Sequence, residues 1–138
     1  MDIAKYPQYE LYLLTLNMVN FKNLLVPDGC DERCINSTII NRAYFSSYLY
    51  CTLWLEYVKN FIPIPIKEFG DDEVKVSEHV QVRNALFNLG EKNIEEKLYK
   101  LANLRRTADY DPFRDLTTTD VSNAIGYMEI IFDHLKFD

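Results

Sequence analysis

Glycine and proline are scarce in this chain, four and five of its 138 residues. An all-β protein needs many tight turns, and so few turn formers do not supply them. Leucine, lysine, glutamate and asparagine are plentiful instead, which favours long helices. Long apolar runs are missing too. A membrane-spanning helix needs roughly 18 apolar residues without charge, and the nearest approach, Ala43 to Leu55, is shorter and carries Ser and Thr. The opening residues Met1-Asp2-Ile3-Ala4-Lys5-Tyr6 are polar and form no apolar leader, and three cysteines is an odd number. The expectation is a soluble, cytoplasmic protein with no membrane association. Basic residues are outnumbered 15 to 21, for a net charge of −6, which disfavours a nonspecific wrap around nucleic acid but leaves room for a local basic pocket.

Several chemistries lack their residues. There is no glycine-rich phosphate loop, no Ser/His/Asp order and no Glu-x-x-His pair of the kind helical bundles use for two-metal sites. Cys30-x3-Cys34 would need two further ligands, and the two histidines, His79 and His134, are isolated in sequence. Neither a metal nor a cofactor is expected.

What is present fits one domain over residues 1–138 with a single core, since 48% of the chain is apolar. After Pro7, the residues Leu11, Leu14, Met18, Phe21 and Leu25 recur at helical spacing, giving a first helix that ends before Pro27. From about Ile35 to Phe61 the apolar residues cover nearly the whole circumference of a helix, which makes this second helix the central post. Its polar interruptions Asn41, Arg42, Ser46, Ser47 and Thr52 should therefore have partners. For Arg42 the readings are an ion pair at the end of the core or a ligand-facing role.

Pro63 and Pro65 exclude a helix through the segment up to Ser77. Ser77 can cap a third helix whose His79, Val82, Leu86 and Leu89 share a face, stopped at Gly90. His79 there is a hydrogen-bonded structural residue or a secondary site candidate together with Arg83. A fourth helix from about Glu91 carries Ile94, Leu98 and Leu101, and its core-facing stripe runs straight into Arg105, while Arg106 lies about 100° further round and points away. Asp109, four residues beyond Arg105, can pair with it, either as a lock on the helix end or as part of a ligand site. Pro112 ends this helix, Thr117 and Asp120 form a capping-box-like start, and a fifth helix follows with Val121, Ala124, Ile125, Met128, Ile131, Phe132 and Leu135 inward.

Two stretches carry a resemblance. Asn41-Arg42-Ala43-Tyr44-Phe45-Ser46-Ser47 resembles the Arg-Ala-Tyr-Tyr-Ala-Ala segment on the second helix of HEPN-domain proteins (higher eukaryotes and prokaryotes nucleotide-binding). Leu104-Arg105-Arg106-Thr107-Ala108-Asp109-Tyr110 resembles the Leu-Arg-x-x-Ala-Asp-Tyr that ends a later helix in one prokaryotic branch. The resemblance implies an all-α, five-helix up-and-down bundle that forms homodimers, with a polar groove where the motif helices meet. It also implies binding of RNA or a nucleotide, with Asn41, Arg42, Arg105, Asp109 and Tyr110 as site candidates. Many HEPN proteins are metal-independent ribonucleases, often toxins of toxin–antitoxin pairs with a small nucleotidyltransferase as partner; others are interaction modules without catalysis.

The ribonuclease members carry Arg-x4–6-His, and this chain departs from that pattern. No histidine follows Arg33, Arg42, Arg83, Arg105, Arg106 or Arg114 at that spacing. Tyr110 falls in the window after Arg105, but an unperturbed phenol titrates near pH 10, far from the near-neutral value that suits a general acid or base. The usual proton carrier is thus missing from its place in the sequence.

Overall fold

The computed structural model describes residues 6–26 and 31–137. Among them are six α-helices and no strand: α1 (Pro7–Asn20), α2 (Lys22–Leu25), α3 (Arg33–Lys59), α4 (Glu78–Asn88), α5 (Lys92–Tyr110) and α6 (Thr118–His134). Five are long; α2 is a single turn, and a 3₁₀ turn at Ile66–Glu68 interrupts the connection before α4. Pro27 and Cys30 lie outside the described residues. The exposed Cys34 donates from Sγ to the Asp31 carbonyl at 3.2 Å.

Most helix ends follow their local chemistry. Ser77 accepts a bond from the Val80 amide at the start of α4, and Thr117 and Asp120 form a reciprocal capping box at α6. α5 stops at Tyr110, two residues before Pro112, where the ring would remove a helical donor. α3 ends on Asn60 in the left-handed conformation (φ 54°), a conformation asparagine tolerates.

α3 is the post, with Ile39, Ile40, Ala43, Cys51 and Leu55 fully buried. α1, α4, α5 and α6 all pack against it. Most of its buried polar groups find partners as helical burial requires, though Asn36 Oδ1 has none among the described residues. Ser46 and Ser47 donate to the Ala43 carbonyl, Thr52 donates to Tyr48, and buried Asn36 donates to the Leu116 carbonyl at 2.8 Å. Arg33 donates to the carbonyls of Arg114 (2.9 Å) and Asp111 (2.6 Å), so the first turn of α3 holds the end of α5. At the other end, the Tyr50 hydroxyl and the Trp54 indole donate to the carbonyls of Leu135 and Lys136.

These contacts fix directions. The start of α3 meets the end of α5 and the start of α6, so α3 is antiparallel to α5 and parallel to α6. Arg83 lies over Tyr99 and Ser77 lines a cleft with Arg106, so α4 is antiparallel to α5 and runs in the sense of α3. Strict up-and-down alternation therefore fails once, because the connection from Asn60 to Ser77 carries the chain back along the bundle. Gln81 holds this connection: its amide bonds both backbone groups of Ile64 and the carbonyl of Val76, each at 2.8 Å.

The first helix departs from the expected stripe. It breaks at Phe21, and Leu14, Phe21 and Leu25 are exposed, while Tyr9, Tyr12, Leu16 and Val19 pack on the core. α1 carries two apolar stripes roughly 150° apart at 100° per residue. The aromatic one wins because Tyr12 stacks on Phe132, with centroids 4.3 Å apart, and rings bring more area to the core than leucines. Leu89, assigned to the inner face of α4, is exposed as well, since the helix has already ended at Asn88. Accordingly, Leu101→Ala, at a fully buried site, is expected to cost about 2–5 kcal/mol. Leu14→Ala should change stability by no more than ~0.5 kcal/mol. Urea denaturation of both variants checks this; equal losses would reinstate the leucine stripe.

Candidate functional site

The two motif helices meet where the sequence places their polar residues. Asn41 on α3 donates to Asp109 Oδ2 at 3.1 Å, and Arg105 Nε lies 2.8 Å from the same oxygen. The Arg105 N–H is not aligned on that oxygen, so the contact is an ion pair without a well-formed hydrogen bond. Both side chains keep about a quarter of their surface exposed, 25% and 26%. The pair locks the end of α5 while both side chains keep some contact with water, and such i,i+4 pairs contribute only about 0.3–0.5 kcal/mol.

Beside this pair lies a cleft of about 190 Å³ between α3, α4 and α5, lined by Tyr44, Ser77, His79, Arg83, Arg105 and Arg106, among others. Three arginines and a histidine are among its walls. Arg105 sits within 5.2–6.0 Å of the centroids of Phe45, Tyr44 and Tyr110, inside the range of cation–π attraction. Arg83 leans on Tyr99 at 5.1 Å. Among the described residues Arg105 has a carboxylate partner, and Arg83 and Arg106 make no ion pair.

His79 is held rigidly. Its ring stacks on Tyr48, centroids 4.1 Å apart and 7° between planes, and its Nδ1 bonds the Tyr44 hydroxyl. Burial, then the positive charge of Arg105, hold its pKa below the ordinary histidine value; Arg83 adds in the same direction and Glu78 opposes. Burial, then Tyr48, push the Tyr44 phenol up to about 12 against the pull of both arginines. The phenol therefore keeps its proton at neutral pH and His79 stays uncharged. With the ring hydrogen on Nδ1 and donated to the Tyr44 oxygen, Nε2 is left free as the acceptor nitrogen.

Asn41, Arg105 and Asp109 thus form one network, and Arg105 shares the cleft with His79 and Arg83. Tyr110 is 72% exposed at the rim of the network. Arg42 does not join: it is exposed on α3, lines no part of the cleft and, among the described residues, has no ion pair or hydrogen-bond partner. A single helical step separates it from Asn41 and turns it to solvent. Arg106 also departs from expectation, because it is exposed as its periodicity requires yet borders the cleft. The reason is that α4 packs over that flank of α5.

Tyr44, Tyr48 and Ser77 escaped the candidate set. The first two looked like core aromatics and are indeed buried; Ser77 was visible only as a cap. His134 is far from the cleft in the fold, bonded to Glu91 at 2.9 Å where the ends of α4 and α6 meet. Among the described residues no group of three or more His, Cys, Asp and Glu side chains is placed to hold a metal ion, and no helix is long and apolar enough to cross a membrane. Compared with protein-family models, curated proteins and solved structures, the chain matches none.

The depressed histidine has a thermodynamic consequence. The unfolded chain protonates His79 near its ordinary 6.5 while the folded chain resists, so stability falls as pH drops from about 6.5 to the lowered folded value and levels off below it. His79→Gln should flatten that window in melting temperatures recorded across pH 4–8. An unchanged pH profile would mean that His79 titrates normally.

Proposed function

We propose that this is a HEPN-like helical protein whose cleft between α3, α4 and α5 binds the phosphate groups of RNA or a nucleotide. The observation that carries the reading is the convergence of Arg83, Arg105 and Arg106 on one concavity of a chain with net charge −6. Guanidinium groups make charge-assisted, bidentate bonds to phosphate oxygens, and an acidic protein has little other reason to gather three of them. Ser77 and Tyr44 add hydroxyls to the same walls.

The cleft also bears on cleavage. The histidine absent after each arginine in sequence is brought to Arg105 in space, from α4 instead of α5. Being neutral near pH 7, His79 is in the form that accepts a proton from a ribose 2′-hydroxyl. The reading is then of an atypical ribonuclease: His79 takes the 2′-hydroxyl proton, the 2′-oxygen bonds to phosphorus as the P–O5′ bond breaks, the leaving 5′-oxygen takes a proton from water, and Arg105 neutralises the phosphate.

Labelled RNA titrated against the protein at two salt concentrations tests this. Arg105→Ala and Arg83→Ala should each weaken binding by about tenfold and make it less salt-dependent, while Arg42→Ala should do neither. Melting temperature should hardly move for Arg105→Ala, given the solvent access of its ion pair. Binding without cleavage in wild type would leave a phosphate-binding protein. A folded protein with no affinity for RNA or nucleotide would end the proposal.

A second reading is favoured by one observation. Leu13, Leu14, Phe21, Leu24 and Leu25 on α1 and α2 are all exposed, Leu24 by 82%, and apolar residues gathered like this mark protein contacts. Under that reading the protein is a non-catalytic interaction module, self-associating as a homodimer or pairing with a nucleotidyltransferase-type protein as in toxin–antitoxin systems. Loss of dimers in Leu24→Glu, by sedimentation, would support it; a wild type monomeric at every concentration would remove the homodimer.

A further inference from the structure

The cleft is small. Pockets that enclose a whole small-molecule ligand run from about 300 to 1,000 Å³, and this one measures about 190 Å³. It can take phosphate oxygens and part of a sugar, but a nucleobase must lie outside it. Where the base goes is decided by what surrounds Arg105.

One ring at that boundary is open. Tyr110 ends α5, is 72% exposed, and has the Arg105 guanidinium 5.5 Å from its centroid. The cation that lines the cleft also backs this ring. Its other neighbours, the rings of Tyr44 and Phe45, belong to a buried and a half-buried residue and have no comparable free face. Phe113, in the turn that follows α5, is 97% exposed and offers a second open ring on the same end of the bundle.

We infer that Tyr110 is a base-stacking platform, and that the ligand is single-stranded RNA with a phosphate in the arginine cleft and an unpaired base on the Tyr110 ring. This rests on the phosphate-binding reading above and narrows it. A mononucleotide would gain only one partial enclosure, and a duplex keeps its bases stacked on each other, out of reach of a tyrosine. The charges around the platform agree with this direction. Asp109 is neutralised by Arg105 and bonded by Asn41, whereas Asp111 and Asp115 are exposed in the turn. They repel phosphates there, so the backbone runs on the cleft side and the bases face outward.

The experiment uses the full chain and three probes: inorganic pyrophosphate, a labelled single-stranded RNA of about twelve nucleotides, and the same sequence closed into a hairpin duplex. The single strand should bind roughly tenfold or more tightly than the duplex. Tyr110→Ala, at an exposed site that folding does not need, should weaken the single strand by about five- to a hundredfold and leave pyrophosphate binding within a factor of about two. Tyr110→Trp should restore the single-strand affinity. Equal binding of single strand and duplex, or Tyr110→Ala with unchanged single-strand affinity, overturns the platform while pyrophosphate binding keeps the phosphate site. Failure of pyrophosphate and both RNAs overturns the phosphate site itself, and the platform with it.

Discussion

A helix buried on nearly every side leaves its polar atoms only protein partners, and this constraint on α3 organises the molecule. Its serines and Thr52 turn back to carbonyls of α3 itself, and its longer polar side chains reach the ends of other elements. Arg33 and Asn36 take the carbonyls around the α5–α6 turn, Asn41 takes Asp109, and Tyr50 and Trp54 take the last carbonyls beyond α6. Leaving any of these partners unmet in the interior would cost about 1–3 kcal/mol. The register of α6 against α3 is thus specified at both ends by directional bonds, and that of α5 at its C-terminal end, with the apolar side chains filling the space between.

The same post decides the chemistry of the cleft. Tyr44 and Tyr48 are core residues whose hydroxyl and ring face α4, and between them they hold His79 in one orientation and one charge state. A histidine that stays neutral beside Arg105 and Arg83 lets the cleft keep a proton acceptor and a positive field together. The two support each other, because burial and then the arginine charge both disfavour protonating the imidazole.

Much of this was legible in the residues. The helix ends at Ser77, Thr117 and Pro112, the central post, and the pairing of Arg105 with Asp109 all follow from local spacing, because capping, proline geometry and i,i+4 contacts are local. The fate of α1 was not, since two apolar stripes of similar length compete and only the tertiary partner Phe132 chooses between them. The cleft was half legible. Its α5 wall follows from the stripe that runs into Arg105, but its α4 wall depends on a connection that folds back along the bundle, and no local pattern encodes that return. Hence His79 read as a structural residue or a secondary candidate apart from Arg105, and Arg106 as an outward one, while Arg42, one helical step from Asn41, read as an ion-pair or site residue and faces solvent.

That returning connection is closed by a single side chain. Gln81 grips the backbone at Ile64 and again at Val76, so everything between those two points forms a loop clasped at its base. Changes in the length of such a loop are nearly decoupled from the bundle, because doubling a flexible loop costs only about 0.6 kcal/mol of closure entropy. The clasp makes this span a site of evolutionary latitude: residues can be gained or lost there, or a guest segment inserted, while the register of α4, and with it the position of His79, stays put.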